Sequence, residues 1–139
     1  LLGVFTRAWM RTGESAYRDR AEEITRGFAG EVQTNPYPMS TFFNNLELAL
    51  APLQVVLVAD AVEQTRALRR VVAGISLPCL LLDIVGADGA LPAGHPAAGK
   101  KPVDGRPAAY VCQGPVCSAP ITDPKALQEH LNSIDKRPT

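Results

Sequence analysis

The stretch Leu53-Gln54-Val55-Val56-Leu57-Val58-Ala59 constrains the fold more than any other part of this chain. It is β-branched and almost continuously apolar, and it begins after Pro52, where the helical spacing of the preceding residues stops. A run of this kind suits a strand buried on both faces, as in a parallel sheet. Asp60 follows at an N-cap position, with Glu63 three residues on, a capping-box pattern. The helix it opens extends to about Ala73 and stops at Gly74. Leu77-Pro78 then leads into a second strand, Cys79 to Val85. Strand, helix and strand in this order predict a parallel pair joined by a right-handed crossover.

Downstream, Gly86 to Gly105 is rich in Gly, Pro and Ala and reads as a long loop. Ala108 to Cys112 is the third strand. Asp123 and Pro124 stand at N-cap and first-turn positions of a last helix that turns Leu127, Leu131 and Ile134 inward. Residues 135–139 are expected to fray. Upstream, Val4, Phe5, Ala8 and Trp9 read as the end of one helix, and Thr12-Gly13 as a turn. Tyr17, Ala21, Ile24, Phe28 and Val32 recur at steps of three and four along a second helix, which Asn35-Pro36-Tyr37-Pro38 ends. Ser40 is placed to cap a third helix carrying Phe42, Phe43, Leu46 and Leu50. The expected fold is α/β: a small three-stranded, mainly parallel sheet with flanking helices over 53–139, preceded by an α-helical hairpin or trio over 1–51.

With 139 residues, 46% of them hydrophobic, the chain can bury one core. Lys and Arg (14) balance Asp and Glu (14), which argues against a nucleic-acid partner. Arg66, Arg69 and Arg70 form the densest basic group and read as one solvated helix face. No apolar run approaches the roughly 20 residues that span a bilayer, so no membrane partner is expected. Three cysteines is an odd count, which favours a cytoplasmic chain over a secreted disulfide framework.

Two of those cysteines, Cys112 and Cys117, stand at a C-x4-C spacing between the third strand and the last helix. Gln113-Gly114-Pro115 is a turn sequence that lets two sulfurs approach. One reading is a pair of buried residues, or a static bridge, pinning the strand to the loop. The other is a thiol-disulfide redox pair, although redox motifs usually space their cysteines by two residues. A zinc site needs four ligands, and only Cys79, His95 and His130 are available to join the pair at unsuitable spacings, so no metal is assigned. Cys79 reads as a core residue and His130 as a helix-edge histidine.

Asp60 and Asp83 fall near the carboxyl ends of the first two strands, the edge where open α/β sheets bind ligands. Two isolated carboxylates make no acid/base constellation, and no catalytic residue is assigned. Gly94-His95-Pro96-Ala97-Ala98-Gly99-Lys100-Lys101 has the glycine and lysine spacing of a P-loop. It lacks the Ser or Thr after the first Lys, the strand before and the helix after, so nucleotide binding is rejected and no cofactor is expected.

The order of these features resembles one family. A helical hairpin precedes Pro52-Leu53-Gln54-Val55-Val56-Leu57-Val58, then comes Gly99-Lys100-Lys101-Pro102-Val103-Asp104-Gly105, then Tyr-Val-Cys-x4-Cys-x2-Pro-x-Thr-Asp-Pro from Tyr110 to Pro124. This is similar to the C-terminal region of the thioredoxin-domain-containing, spermatogenesis-associated protein 20-like family. The resemblance implies a longer parent, with a thioredoxin-like domain and an (α/α)6 toroid similar to sugar epimerases upstream. Residues 1–51 would then be the last toroid helices, and 53–139 the small α/β end. An opening inside a helix without initiator Met fits a fragment, and the Ala, Arg, Gly and Pro bias fits a bacterial source. The function implied is a non-catalytic C-terminal module whose partner is the toroid, or a second copy through exposed apolar helices around Trp9, Phe42, Phe43 and Leu46. The alternative is a redox module using Cys112 and Cys117.

Overall fold

The computed structural model describes residues 1–77, 79–86 and 89–135. Pro78 in the lead-in to the second strand, Ala87 and Asp88 in the long loop, and residues 136–139 of the segment expected to fray lie outside the described residues, while Asp135 is helical.

Three helices come first: α1 (Leu2–Thr12), α2 (Ser15–Thr34) and α3 (Ser40–Leu50). Gly13 ends α1 in the left-handed conformation, φ 74°, and its N–H donates to Trp9 O at 2.7 Å. The same glycine lies against the backbone of Gly94, whose carbonyl a Cβ at position 13 would overlap. Both reasons exclude a side chain at this corner. A 3-10 turn, Tyr37–Met39, leads into α3, so Ser40 is its first helical residue rather than its cap. α1 packs on both α2 and α3.

The strand β1 (Leu53–Val58) is buried along its whole length. Its helix does not start at Asp60. A 3-10 turn, Val62–Thr65, precedes α4 (Arg66–Ala73), and Gln64 Oε1 accepts from the Ala61 N–H at 3.2 Å, leaving Asp60 exposed ahead of the boundary. β2 (Leu80–Val85) then pairs parallel to β1, Leu53 opposite Leu80 and Val58 opposite Val85.

The expectation of a three-stranded, mainly parallel sheet is wrong. Among the described residues the sheet has four strands in the order β2-β1-β3-β4, and only β1 and β2 run parallel. β3 (Ala108–Gln113) is antiparallel to β1, and β4 (Val116–Cys117) is antiparallel to β3. The reason lies in the long loop. A further parallel strand needs a crossover back to the other end of the sheet, usually through a helix. Here the loop leaves from Val85 and re-enters at Ala108, and both residues sit opposite Val58. It returns at the end of the sheet it left, on the far side of β1, which makes the next strand run the other way. β4 escaped notice because two residues after a Gly-Pro turn carry no period to read.

The last helix, α5 (Pro124–Asp135), is capped as its sequence suggests: Asp123 Oδ2 accepts from the Ala126 N–H at 2.8 Å. The sheet separates two apolar layers. On one face Leu53, Val55, Leu57, Ala109 and Val111 meet Leu68 and Val72 of α4 and Leu127 and Leu131 of α5. On the other, Val56, Val58, Ala108, Tyr110 and Cys112 are covered by the loop, through Leu91, Ala97 and Val103. That second face carries the polar groups.

Candidate functional site

Gln54 is the polar exception in β1, and its burial dictates what surrounds it. Its residue is 3% exposed, so its amide must find partners inside the protein. Strand alternation places it on the loop-covered face, beside Asp83 of β2 and opposite Cys112 of β3. The Gln54 Nε2 group donates to Asp83 Oδ2 at 2.7 Å and lies 2.9 Å from His95 Nε2. Asp83 Oδ1 pairs with Arg11 Nη2 at 3.1 Å, from the last turn of α1. One row of contacts therefore links α1, β2, β1 and the loop.

His95, 3% exposed, is held by a turn in which its N–H donates to Pro92 O and its carbonyl accepts from the Ala98 N–H, each at 2.9 Å. Its Nδ1 accepts from the Ala97 N–H at 3.0 Å. The neutral ring then carries its proton on Nε2, facing the Gln54 amide. The amide is contested: Asp83 calls for its nitrogen and the imidazole for its oxygen. Burial depresses the His95 pKa below its ordinary value of 6.5, and the charge of Asp83 opposes that shift without cancelling it. His95 Nδ1 and both Asp83 oxygens have partners, and His95 Nε2 lies against the Gln54 amide. This is the bonding of a structural tie, with no nucleophile and base aligned on a reacting atom.

A cavity of about 410 Å³ opens beside this row, between the α1–α2 corner and the sheet. Trp9, Met10, Gln54, Pro96, Cys112 and Pro115 line it. Arg18 of α2 lies over the Trp9 ring, 5.5 Å from its centroid.

Cys112 and Cys117 face each other across β3 and β4 and form a disulfide. Gly114, with φ 58°, makes the turn between them. Cys112 is 1% exposed, whereas Cys117 is half-buried, its Sγ 3.4 Å from Pro96 O.

Asp60 and Asp83 do not share a site. Asp83 sits mid-strand opposite Val56, engaged by Arg11 and Gln54. Asp60 lies with Lys100 and Lys101 at a separate cavity of about 410 Å³, beyond the ends of β1 and β2. Lys100 itself sits over the Tyr110 ring at 5.4 Å, and Tyr110 Oη donates to Lys101 O at 2.7 Å. The glycine-lysine segment from Gly94 to Lys101 is a series of turns, with neither a strand directly before it nor a helix directly after it. Cys79 packs at the margin of the α4–α5 layer, and His130 is half-buried on α5. Among the described residues no group of three or more His, Cys, Asp or Glu is placed to hold a metal ion.

Sequence reasoning missed Gln54, Arg11 and the burial of His95. One signal was available for Gln54: an amide inside a run buried on both faces demands a partner. Comparison with models of known protein families, with curated proteins and with solved structures finds no match. Among the described residues no helix is long and apolar enough to cross a membrane.

Proposed function

We propose that this chain is a non-catalytic C-terminal structural module of a larger cytoplasmic protein of the spermatogenesis-associated protein 20-like kind. It would close the end of a helical toroid and have no enzymatic activity of its own. The observation that carries this reading is the surface of the helical segment. α2 runs for 20 residues yet Ala21 is its one buried residue. Leu1, Val4, Phe28, Tyr37, Phe43 and Leu50 are large apolar side chains left exposed, Tyr37 by 93% and Leu50 by 74%. Large apolar side chains left open along the three helices offer surface that a partner would cover. Of the residues expected at that surface, Phe43 is exposed, while Trp9, Phe42 and Leu46 are half-buried, Phe42 against Phe28 with ring centroids 5.4 Å apart. The polar row of Arg11, Asp83, Gln54 and His95 supports the same reading, because it ties the helices to the sheet so that the two parts can dock as one piece.

The test is amide hydrogen exchange on this chain alone and within its parent polypeptide. In the isolated chain α2 exchanges much faster than β1 and β3, and α2 and α3 gain protection in the parent. Strong protection of α2 in an isolated, monomeric chain would mean the helices need no partner and would remove the reading.

A further inference from the structure

We propose that the Cys112–Cys117 bridge is a thiol-disulfide exchange site, opened by a dithiol partner that attacks Cys117 and expels Cys112 beside the cavity. The inference is independent of the module reading.

The first support is that the bridge is not needed to hold its own hairpin. Ser118 N–H donates to Val111 O at 2.8 Å, and Ser118 Oγ accepts from the Val111 N–H at 3.1 Å. The Gly114 N–H reaches Pro52 O at 3.4 Å, tying the turn to the chain just before β1. β4 therefore stays against β3 when the sulfurs part, and the two thiols remain opposite each other, ready to close again. A static staple gains most where it closes a long loop, whereas these residues are separated by only 5 positions.

The second support is the difference between the two sulfurs. Cys117 sits on the two-residue edge strand and is half-buried, so an incoming thiolate can reach it. Cys112 is enclosed between β1 and β4 and is 1% exposed. Exchange rates depend on access to the sulfur attacked, which directs the first step to Cys117.

The third support is that each sulfur has a place once released. Cys112 lines the cavity, as does Gln54, its partner across the strand pair. The Cys117 thiol can donate to Pro96 O, which already lies 3.4 Å from its sulfur. Pro96 follows His95 in the same loop turn, so the Cys117 sulfur touches the segment that carries the polar row's histidine.

The chemistry balances with a dithiol as co-reactant. A partner thiolate attacks Cys117 Sγ, a mixed disulfide forms, and the Cys112–Cys117 bond breaks with its electron pair on Cys112, which takes a proton from water. The partner's second thiolate then attacks the partner sulfur of the mixed disulfide, and Cys117 leaves and is protonated in turn. Two electrons and two protons pass to this chain, and the partner becomes the disulfide.

The unaltered folded chain is equilibrated in glutathione buffers of rising reduced-to-oxidised ratio, quenched with acid and alkylated. Thiols at Cys112 and Cys117 are counted by peptide mass, with circular dichroism recording the fold. The expected result is conversion of the bridge to two thiols within that range, reversed on reoxidation, with the fold retained. A bridge that opens only when the chain is denatured, or a pair that never closes, overturns the proposal. For the direction of attack, oxidised glutathione is added to Cys112→Ser and Cys117→Ser chains. Mixed disulfide at Cys117 is expected at least about tenfold faster than at Cys112. Equal rates would overturn the assignment of Cys117. Should either variant fail to fold, the order of iodoacetamide labelling in the reduced unaltered chain decides it, with Cys117 labelled first.

Discussion

The 20 residues of α2 bury one side chain, whereas the six residues of β1 bury all six. The two elements are similarly regular in sequence, and both carry apolar side chains at the spacing their secondary structure requires. They differ in what surrounds them. β1 has a strand on each side, helices α4 and α5 over one face and the loop over the other. α2 has α1 along one side and a ring contact from Phe28 to Phe42 of α3, which leaves Tyr17, Ile24 and Val32 half-buried and Phe28 exposed. A periodic pattern states which face of an element wants cover; it does not state whether the same chain supplies it.

Truncation should separate the two regions most strongly. Leu127→Ala opens space in the layer between the sheet and α5 and is expected to cost about 2 to 5 kcal/mol. Phe28→Ala on α2 removes an exposed ring paired with Phe42 and should cost only about 1 kcal/mol. Urea denaturation of the two variants checks the contrast, and a loss at Phe28 equal to that at Leu127 would erase it. The join between the regions comes next. Gln54→Ala leaves Asp83 Oδ2 and His95 Nε2 buried without this partner and is expected to cost about 1 to 3 kcal/mol by the same measurement.

The smallest effect is titration of His95. Its folded pKa lies below the ordinary 6.5, so the native protein holds the ring neutral while the unfolded chain takes up a proton first. The stability it contributes is complete above about pH 6.5 and is lost as the pH falls from there towards the folded value. Urea midpoints compared at about pH 7.5 and about pH 5.5 should fall on acidification by more in the unaltered chain than in His95→Asn. An unchanged difference would mean that burial of the ring does not govern its proton.

Much of the α/β unit could be read from its residues. β1, α4 and β2 follow from an unbroken apolar run, a helical period and a second apolar run, and Asp123 marks the start of α5 through a side chain suited to capping. The direction of β3 was not legible, since alternation is the same read forwards or backwards. It depends on where the loop from Val85 lands, which is a property of the folded sheet. The polar row was hidden for a similar reason. Arg11, Gln54, Asp83 and His95 are far apart along the chain, and only Gln54 and Asp83 stand out as polar residues among apolar neighbours. Asp60 and Asp83 were grouped by position along their strands, but strand ends near in sequence terms need not point at one another.

The strand order β2-β1-β3-β4 also sets a timetable. A ribosome delivers β1 before either of its neighbours, and the second of them, β3, is not complete until Gln113 has been added. For that interval a strand that will end up wholly buried exists as a ribbon with one or both edges open, the form in which strands recruit strangers. The newborn chain is therefore at its most vulnerable between the emergence of Leu53 and that of Gln113, and a nascent-chain chaperone would find its best foothold there.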